Sequence, residues 1–460
     1  MMGRLETDQG QFFYSYRLDE LVPTDHLVRK LDAVLDLSWV RKELAPYYSH
    51  TGRPSIDPEL MLRMLIVGYV FAIRSERQLC SELQVNMAYR WFCGLSIESS
   101  IPDHSAFSRV RHARFREADV LRRVFESVVE SYIASKLVGG EAFSVDASLI
   151  KADVNPAKRV PGDEPITWPK RASRAVRDYL SALDEESAAS PVTSDGRKQA
   201  PRMAISLTDP QAAWVAYRKM RSIFAYHANY LIDNKLGIIV DAEGNRANRI
   251  DENRSCVAMV ERVARRFALR PKRLAADTAY GNARTLKSLV EHGIEPHIPI
   301  WDKSQRHDGT FSRSDFVFDA KHDCYTCPGG KTLGTTGRVH DGRTLYYRAR
   351  SPDCGACSLK RRCCPKAPSR RIPRDIDENV RDHVRALAET PTFRHSRNER
   401  KKVEMAFAHM KRIFKLDRFR LRGLAGARDE ILLTATAQNL RKLVKYAGPA
   451  PPNRPAQCTA

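Results

Sequence analysis

The order of elements predicted between Phe143 and Ile300 constrains the fold of this 460-residue chain more than any other feature. Apolar patterning and turn residues predict strands that alternate with helices, and the first two strands after the insertion form an antiparallel hairpin because only four residues join them. The order predicts an α+β or α/β fold in which helices flank a mixed sheet. The predicted elements are a strand at 143–150, a hairpin of 224–233 and 238–242, a helix at 253–267, a strand leading to Asp277, a helix at 282–292 and a strand at 294–300.

Residues 12–135 are predicted to be helical. Asp57-Pro58-Glu59 begins one helix, with proline in the first turn and acids that favour the helix dipole, and Ser75-Glu76-Arg77-Gln78 begins another. A break at Gln84-Val85-Asn86 precedes a short helix, Met87–Cys93. This is the spacing of a helix-turn-helix, but it is also common in helical bundles, so both interpretations stay open. A further basic helix is predicted at 105–125.

The length indicates more than one domain, because a single core stops growing at about 250–300 residues. A late helix is predicted at 396–415. The predicted division is a helical DNA-binding or dimerisation domain at 1–138, a mixed-sheet domain at 139–446 with insertions at 155–204 and 301–390, and a disordered tail at 447–460.

Positive charge is concentrated in one part of the chain. The net charge is +22, from 77 Lys and Arg against 55 Asp and Glu. Residues 1–140 are neutral, with 18 basic and 18 acidic side chains, whereas 391–446 carries 15 basic and 5 acidic ones. Because the charge is concentrated, it favours a localised binding surface for a polyanionic partner rather than a uniformly basic surface. Nucleic acid is the first candidate for that partner.

The sequence offers no membrane or export signal. The longest apolar stretch, Met61–Ile73, is interrupted by Arg63 and Gly68 and falls short of the 18–20 residues, approximately, that a spanning helix needs. The first ten residues are polar and acidic, unlike a secretory signal. We therefore expect a cytoplasmic protein, associated with the nucleoid if nucleic acid is its partner.

Three carboxylates lie where this layout would bring them together. Asp146 is within the first strand, Asp277 follows a later strand, and Glu404 is on the late helix. Acids this close raise one another's pKa, and a pair of Mg²⁺ (or Mn²⁺) ions removes the repulsion while activating water or a 3′-hydroxyl. For each acid alone, a helix cap or a surface salt bridge is the alternative.

The late helix places cations around its acid. Arg397, Arg400, Glu404 and Lys411 fall within about 60° of one another at 100° per residue, so they share one helix face. The neighbouring stripe is apolar and is predicted to be buried; it consists of Val403, Phe407, Met410 and Phe414. The face suits a metal-binding acid among phosphate-binding cations, and a solvated salt-bridged face is the alternative.

Six of the ten cysteines lie between Cys324 and Cys364. The pattern Cys324-x2-Cys327 and Cys354-x2-Cys357 predicts a zinc ribbon, with Cys363 as a possible further ligand. Two alternatives remain. The cysteines could be inert and buried, or an iron–sulfur cluster could bind Cys354, Cys357, Cys363 and one upstream cysteine.

The combined motifs resemble those of bacterial insertion-sequence transposases of the DDE type. They are Ser-Val-Asp146-Ala-Ser, Ala-Asp277-Thr-Ala-Tyr-Gly, Arg400-x3-Glu404-x6-Lys411, the run from Met405 to Arg412, Arg418-Phe-Arg-Leu-Arg-Gly, Leu433-Thr-Ala-Thr-Ala-Gln-Asn-Leu, Gly52-Arg-Pro-Ser-Ile-Asp-Pro and Ile101-Pro-Asp-His-Ser-Ala-Phe-Ser-Arg. The resemblance covers about residues 12–447, with 155–204 poorly matched.

The resemblance implies a ribonuclease-H-like catalytic domain at 139–446. It implies that Asp146, Asp277 and Glu404 bind two divalent metals and cut transposon ends, which the enzyme then joins to target DNA. Phosphates of the ends would be bound by Arg397, Arg400, Lys411 and Arg412, although the family has Tyr where Arg397 stands. The resemblance also implies at least a dimer on paired ends.

Three other functions stay open at this point. A repressor-like descendant would bind DNA without catalysis, and a nuclease would cut without joining. A zinc-dependent interaction module would keep its binding after all three acids are changed.

Overall fold

The computed structural model describes most of the chain. The described residues are 17–49, 51, 55–162, 164–168, 172–188, 203–217, 220–300 and 308–446. The predicted disordered tail at 447–460 and the linker around 190–201 lie outside them.

The amino-terminal part is helical, as predicted. A buried face of each longer helix packs into one core; α4 is buried almost throughout, from Met61 to Val70. Asp57, Ser75 and Asn86 accept backbone N–H bonds at the starts of α4, α5 and α6, so the capping residues define these helices. The helices are α1 Leu18–Leu21, α2 Leu27–Val34, α3 Val40–Leu44, α4 Pro58–Val70, α5 Glu76–Val85, α6 Met87–Phe92, α7 His104–Val110 and α8 Val120–Ala134.

The single helix predicted at 105–125 is wrong. The chain forms α7, a π-helical turn over Arg111–Phe115 and then α8, with Asp119 in the left-handed region at φ 46°. Phe115 and Val120 are both buried. Five residues of continuous helix would place them about 140° apart, so the break allows both to reach the core.

A six-stranded mixed sheet forms the centre of the second region. Strand β1 pairs antiparallel with β5, and β6 pairs antiparallel with β5, so the predicted hairpin is confirmed. On its other edge β1 pairs parallel with β7, which pairs parallel with β8. The strands are β1 Ala142–Lys151, β4 Ala213–Tyr217, β5 Met220–Asp233, β6 Ile238–Arg246, β7 Arg273–Ala275 and β8 Glu295–His297.

Helices α10 Arg249–Phe267 and α11 Ala283–Glu291 connect β6, β7 and β8, which confirms the two helices predicted there. Asn248 and Asn282 cap their first turns. Both helices bury an apolar stripe against the sheet. The fold is therefore a mixed α+β architecture with a helical amino-terminal region.

The late helix differs from its predicted extent of 396–415. Two helices, α15 Pro391–Glu399 and α16 Lys401–Arg412, meet at Arg400, where Val403 N–H bonds to Arg400 O in a tightened turn. Helix α16 ends because Lys415 is left-handed, at φ 58°, and Leu416 N–H bonds back to Met410 O.

The longest helix of the described chain follows, and the sequence analysis did not predict it. Helix α17, Gly423–Tyr446, packs against α2, α4, α8 and β6, and so contacts both the helical region and the sheet. One hydrophobic core runs through both regions. The predicted domain boundary at 138 falls in the loop between α8 and β1.

The two predicted insertions contain structure of their own. Helix α9, Arg174–Ala188, and the strands β2, Arg159–Pro161, and β3, Ala204–Ser206, occupy the first. In the second, a five-stranded antiparallel sheet has a separate core that includes Tyr325, Leu333 and Tyr347. Its elements are β9 Val317–Asp319, β10 Cys324–Thr326, β11 Thr332–Thr335, β12 Thr344–Arg348, α12 Ser351–Gly355, α13 Lys360–Cys363, β13 Arg371–Asp375 and α14 Glu378–Leu387.

Among the described helices, none combines the length and the apolar character required to cross a membrane.

Candidate active site

Asp146 and Asp277 lie side by side at one edge of the central sheet. The parallel register of β1 and β7 pairs Ser144 with Ala275, and each aspartate follows its paired residue by two positions. Ala147 N–H donates to Asp146 Oδ1 at 2.9 Å, and Ala279 N–H donates to Asp277 Oδ1 at 2.8 Å. Each aspartate thus has one oxygen held by the backbone, which orients the carboxylate.

Glu404 is positioned by an aromatic stack. It lies in the first turn of α16, and Phe407, three residues later, stacks on Tyr230 with ring centroids 4.7 Å apart and planes 10° from parallel. Tyr230 is the cross-strand partner of Asp146. The predicted apolar stripe of Val403, Phe407, Met410 and Phe414 is buried, as expected. The stack therefore places the Glu404 turn over the strand that carries Asp146.

A single guanidinium joins two of the three predicted acids. Arg400 Nη2 donates to Glu404 Oε1 at 2.7 Å, and Arg400 Nη1 lies 3.4 Å from Asp146 Oδ2. Burial raises the pKa of Asp146 to about 6, and the charges of Asp277 and Glu404 act in the same direction, whereas Arg400 and the Ala147 N–H lower it. The influence of Asp277 and Glu404 on Asp146 indicates that all three acids share one electrostatic site.

Within the described residues, His, Cys, Asp and Glu side chains nowhere gather in a group of three or more placed to hold a metal ion. At the acid pair the cationic position is taken by Arg400. The three carboxylates still suit a hard divalent cation, because Asp146 and Glu404 already converge on the guanidinium of Arg400 and Asp277 follows the adjacent strand.

A fourth acid, Glu252, was missed by the sequence analysis. It is buried in the first turn of α10, and its pKa is raised to about 7, first by burial and then by the charge of Asp277, with Asp146 contributing. His227 Nδ1 lies 3.9 Å from Glu252 Oε2, and burial lowers the pKa of that imidazole to about 4. The signal was available, since Glu252 falls on the apolar stripe of α10 that continues through Cys256 and Met259.

The predicted phosphate-binding cations divide between two helices. Arg397 is exposed on α15, whereas Lys411 and Arg412 lie in the last turn of α16. Seven residues of helix separate Lys411 from Glu404, about 10 Å along the axis. Of these four cations, Arg400 is the one whose ion pairs with Asp146 and Glu404 are seen directly.

Two models of known protein families match parts of this chain. Residues 16–113 match the family model described as a transposase domain, DUF772, and residues 326–444 match the model described as a transposase DDE domain. The chain therefore carries two regions that match transposase domains, the second of the DDE type. The second match includes Glu404 and its cations, whereas Asp146 and Asp277 lie outside both matched ranges.

A solved structure of another transposase also matches. It is the cryo-EM structure of a piggyBac transposase synaptic complex with hairpin DNA, with 9% identity over 91% of this chain and 78% of that chain, at a TM-score of 0.31. No curated protein matches this transposase.

Five of the six cysteines between Cys324 and Cys364 line one small cavity in the second insertion. Cys327, Cys354, Cys357, Cys363 and Cys364 line it, whereas Cys324 on β10 is not among its lining residues. A Cβ at Gly329 would stand 3.6 Å from Cys357 Sγ and 3.7 Å from Cys327 Sγ, so both thiols face the same turn. Burial raises the pKa of Cys363 to about 11 and also raises that of Cys364, which lies against Cys354.

The helix-turn-helix spacing of the transposase corresponds to α5 and α6, joined at Asn86. Arg90 of α6 is buried and donates to the carbonyls of Leu83, Ser96, Ile97 and Ser99. An arginine that satisfies backbone carbonyls cannot also reach a base edge. This favours the interpretation of α5 and α6 as part of a helical bundle.

Proposed function

We propose that this transposase cuts DNA at transposon ends and joins the freed ends to target DNA, with Asp146, Asp277 and Glu404 as its catalytic acids. Water attacks the end phosphorus and the P–O3′ bond breaks, which leaves a 3′-hydroxyl. That hydroxyl then attacks a target phosphodiester and displaces a second 3′-hydroxyl, so no external energy source is required. The observation that carries the proposal is the convergence of Asp146 and Glu404 on Arg400, beside Asp277.

The strand order supports a ribonuclease-H-like fold for the catalytic region. Apart from β4, which also pairs with β5, the strands of the central sheet follow one another in the chain as β1, β5, β6, β7 and β8, and they lie in the spatial order β6-β5-β1-β7-β8. Strand β5 pairs antiparallel with both β1 and β6, whereas β7 and β8 run parallel to β1. This layout puts β1 and β7 side by side at the centre of the sheet, with Asp146 within β1 and Asp277 just after β7.

The three acids would hold Mg²⁺ or Mn²⁺. When bound, a metal pair supplies an activated hydroxide or 3′-oxygen and neutralises charge at the reacting phosphate. Arg400 holds Asp146 and Glu404 in a common orientation. Because the pKa of Asp146 is only about 6, its carboxylate is largely ionised at neutral pH and available as a ligand.

The cations near Glu404 would bind DNA. Arg397 and Arg412 are exposed, and Lys411 follows Glu404 by two helical turns, so phosphates of one strand can be contacted along α15 and α16. The charge of the 391–446 stretch supports this role. By resemblance to the family, the protein would act as at least a dimer on paired transposon ends.

A structural zinc ion in the second insertion is a separate proposal. Thiols from β10–β11 and from α12–α13 face one cavity, and Lys331 N–H donates to Cys327 Sγ at 3.3 Å. The candidate ligands are Cys327, Cys354, Cys357 and either Cys363 or Cys364. The ligand set expected from sequence included Cys324, which the cavity does not support.

The test uses a supercoiled plasmid that carries the element's own inverted ends, a second target plasmid and Mg²⁺. We expect wild type to cut and join, and Glu404→Gln to do neither while binding the ends as wild type does. Glu389→Gln, an exposed acid between α14 and α15, is the matched control and should remain active.

Three results would contradict the proposal. Cutting that survives Glu404→Gln would exclude Glu404 from the chemistry. Tight, salt-sensitive binding of the ends without cutting by wild type would instead identify a repressor-like descendant, and cutting without joining would identify a nuclease.

A further inference from the structure

A large groove lies between the central sheet and the second insertion, next to the Asp277 loop. Its volume is about 1050 Å³. Thr278, Ala279 and Gly281, which follow Asp277, form one end, and α10 with the start of α11 forms one wall. Strand β13 of the insertion forms the opposite wall. The groove is thus lined by the loop that directly follows Asp277, although Asp146, Asp277 and Glu404 are not among its lining residues.

The groove is strongly cationic. Eight arginines line it against two carboxylates, Glu261 and Asp375. Four of the eight stabilise the insertion. Arg313 and Arg381 pair with Glu378, and Arg343 pairs with Asp375. Arg370 donates to two backbone carbonyls. The other four are exposed, namely Arg249, Arg254, Arg284 and Arg371.

The exposed arginines occur on both walls. Arg249 and Arg254 belong to α10, Arg284 to the first turn of α11, and Arg371 to β13, where its guanidinium lies 4.5 Å from the Tyr346 ring. The amino terminus of α11 adds its positive dipole on the same side. A chain of phosphates between these walls would therefore meet cations on each side.

The groove is also partly apolar. Ile250, Val257 and Ala258 line it from α10, and Ile372 and Pro373 line it from β13. Ile250 is 62% exposed, so its side chain is available to contact a ligand in the groove. A duplex presents phosphates and hides its bases, whereas an unpaired strand exposes base faces that gain from apolar contact.

The two walls are fastened to each other. Lys287 Nζ of α11 lies 2.9 Å from Asp377 Oδ1, at the start of α14, and Arg343 links Asp377 to Asp375 of β13. These ion pairs hold the insertion against the sheet, so the groove exists before any ligand binds. The polar floor formed by Asn253, Asn282 and Thr285 is likewise fixed by mutual hydrogen bonds.

We propose that this groove binds an unpaired DNA strand that continues from the phosphodiester at Asp277. The proposal rests on the proposed function for the position of the strand, and it assigns the second insertion a direct part in holding DNA. Cations on both walls contact the phosphates, and the apolar patch around Ile250 covers the base faces.

The test measures binding of fluorescent single-stranded and duplex DNA of one sequence by anisotropy over a range of salt concentrations. The first variant combines Arg254→Ala with Arg284→Ala, and the second is Ile250→Ser. Arg338→Ala, an exposed arginine of the insertion outside the groove, is the matched control. Melting temperatures check that each variant is folded.

We expect the double arginine variant to bind the single strand at least tenfold more weakly. Its log Kd against log salt slope should fall by about 1.4, at ~0.7 per lost phosphate contact. Ile250→Ser should weaken single-strand binding several-fold with an unchanged salt slope, and neither variant should affect the duplex as strongly. Arg338→Ala should bind both DNAs as wild type does.

Unchanged single-strand binding by the double variant would overturn the inference. Equal losses for duplex and single strand, together with no effect of Ile250→Ser, would also overturn it, because the groove would then be a general phosphate surface. Glu404→Gln should bind the single strand normally. A wild type that fails to cut but binds the single strand through these residues would refute the proposed function alone.

Discussion

Phe407 stacks on Tyr230, and Tyr230 pairs across the sheet with Asp146. The aromatic pair thereby fixes the distance between a helix that carries Glu404 and a strand that carries Asp146. Tyr230 is itself held from behind, since Gln438 Nε2 of α17 donates to its hydroxyl at 3.2 Å. The geometry of the proposed catalytic site depends on core packing as much as on the acids themselves.

Phe407→Ala should therefore reduce cutting more than its loss of stability explains. Truncating a buried phenylalanine costs about 3–5 kcal/mol. Without the stack, Glu404 loses its fixed position relative to Asp146. The measurement is the rate of end cutting at a temperature where the variant remains folded.

Phe393→Ala is the control for this effect. Phe393 is as buried as Phe407 but lies on α15 against His297, away from Tyr230. A comparable loss of stability with a smaller loss of cutting is expected. Equal losses of cutting in both variants would show that the stack has no special positioning role.

Arg400→Ala should lower the melting temperature in EDTA and increase the stabilisation that Mg²⁺ gives. Removing the guanidinium leaves Asp146 and Glu404 without their shared partner, which costs about 1 kcal/mol for a partly exposed pair. It also removes a cation that competes with Mg²⁺ for the same oxygens. Thermal melts of wild type and variant with and without Mg²⁺ measure both effects.

Arg397→Ala removes the same charge from an exposed site on α15, and its Mg²⁺ response should equal that of wild type. A Mg²⁺ response of Arg400→Ala no larger than that of wild type would contradict competition at the acid pair.

Glu252→Gln should flatten the pH dependence of stability. The pKa of Glu252 is about 7 in the folded chain, above its ordinary 4.5, so the folded state binds more protons than the unfolded state between these values. The free energy of unfolding therefore falls as pH rises from about 4.5 to 7. Glutamine does not ionise, so the free energy of unfolding of the variant should not fall in this way. At pH 8 the variant should therefore be more stable than wild type by about 3 kcal/mol at most.

Urea unfolding at several pH values provides the measurement. Glu261→Gln, on the exposed side of the same helix, should leave the profile unchanged. The prediction would be wrong if the free energy of unfolding of wild type rose from pH 5 to pH 7 and Glu252→Gln removed that rise.

The purified transposase should contain about one zinc per chain. Cys354→Ser should lose the metal and melt at a lower temperature, because binding free energy contributes directly to folding of a small metal domain. Cys324→Ser should keep the metal, since Cys324 lies outside the thiol-lined cavity. Metal analysis of both variants tests this, and loss of zinc in Cys324→Ser would restore the ligand set expected from sequence.

Arg74→Ala should destabilise the whole chain by about 3–5 kcal/mol. Arg74 follows α4 in the helical region and pairs with Glu430 of α17, and both side chains are buried. The change leaves a buried carboxylate without its cation, although the N–H groups of Arg420 and Leu421 still donate to it. Arg74→Ala combined with Glu430→Gln should recover part of the loss in urea unfolding; no recovery would exclude the buried charge as the cause.

Much of the fold could be predicted because local signals agreed with the final structure. The alternation at 143–150, the four-residue turn before Ile238 and the asparagine caps of α10 and α11 each act over a few residues. The adjacency of Asp146 and Asp277 could be predicted from strand order, because Asp146 lies within one strand and Asp277 just after another that pairs parallel with it.

The remaining features depend on contacts that are distant in sequence. Helix α17 shows no apolar stripe because it is buried almost all round, and its Thr434, Thr436 and Asn439 satisfy their polar groups internally or against β6. The left-handed Asp119 interrupts a helix, which lets the residues on both sides of it reach the core. Arg400, at the junction of two helices, pairs with Asp146 on a strand that is distant in sequence. The five-cysteine cavity likewise requires the folded insertion.

Helix α17 is also synthesised after every other element of the described fold. Until it emerges, the space between the amino-terminal helices and β6 has no occupant, and Ile239 lacks the Asn439 side chain that bonds both its N–H and its carbonyl. All the proposed catalytic acids leave the ribosome earlier. The core consequently closes only once α17 has been made, so the proposed catalytic acids are translated before the helix that completes the packing around them.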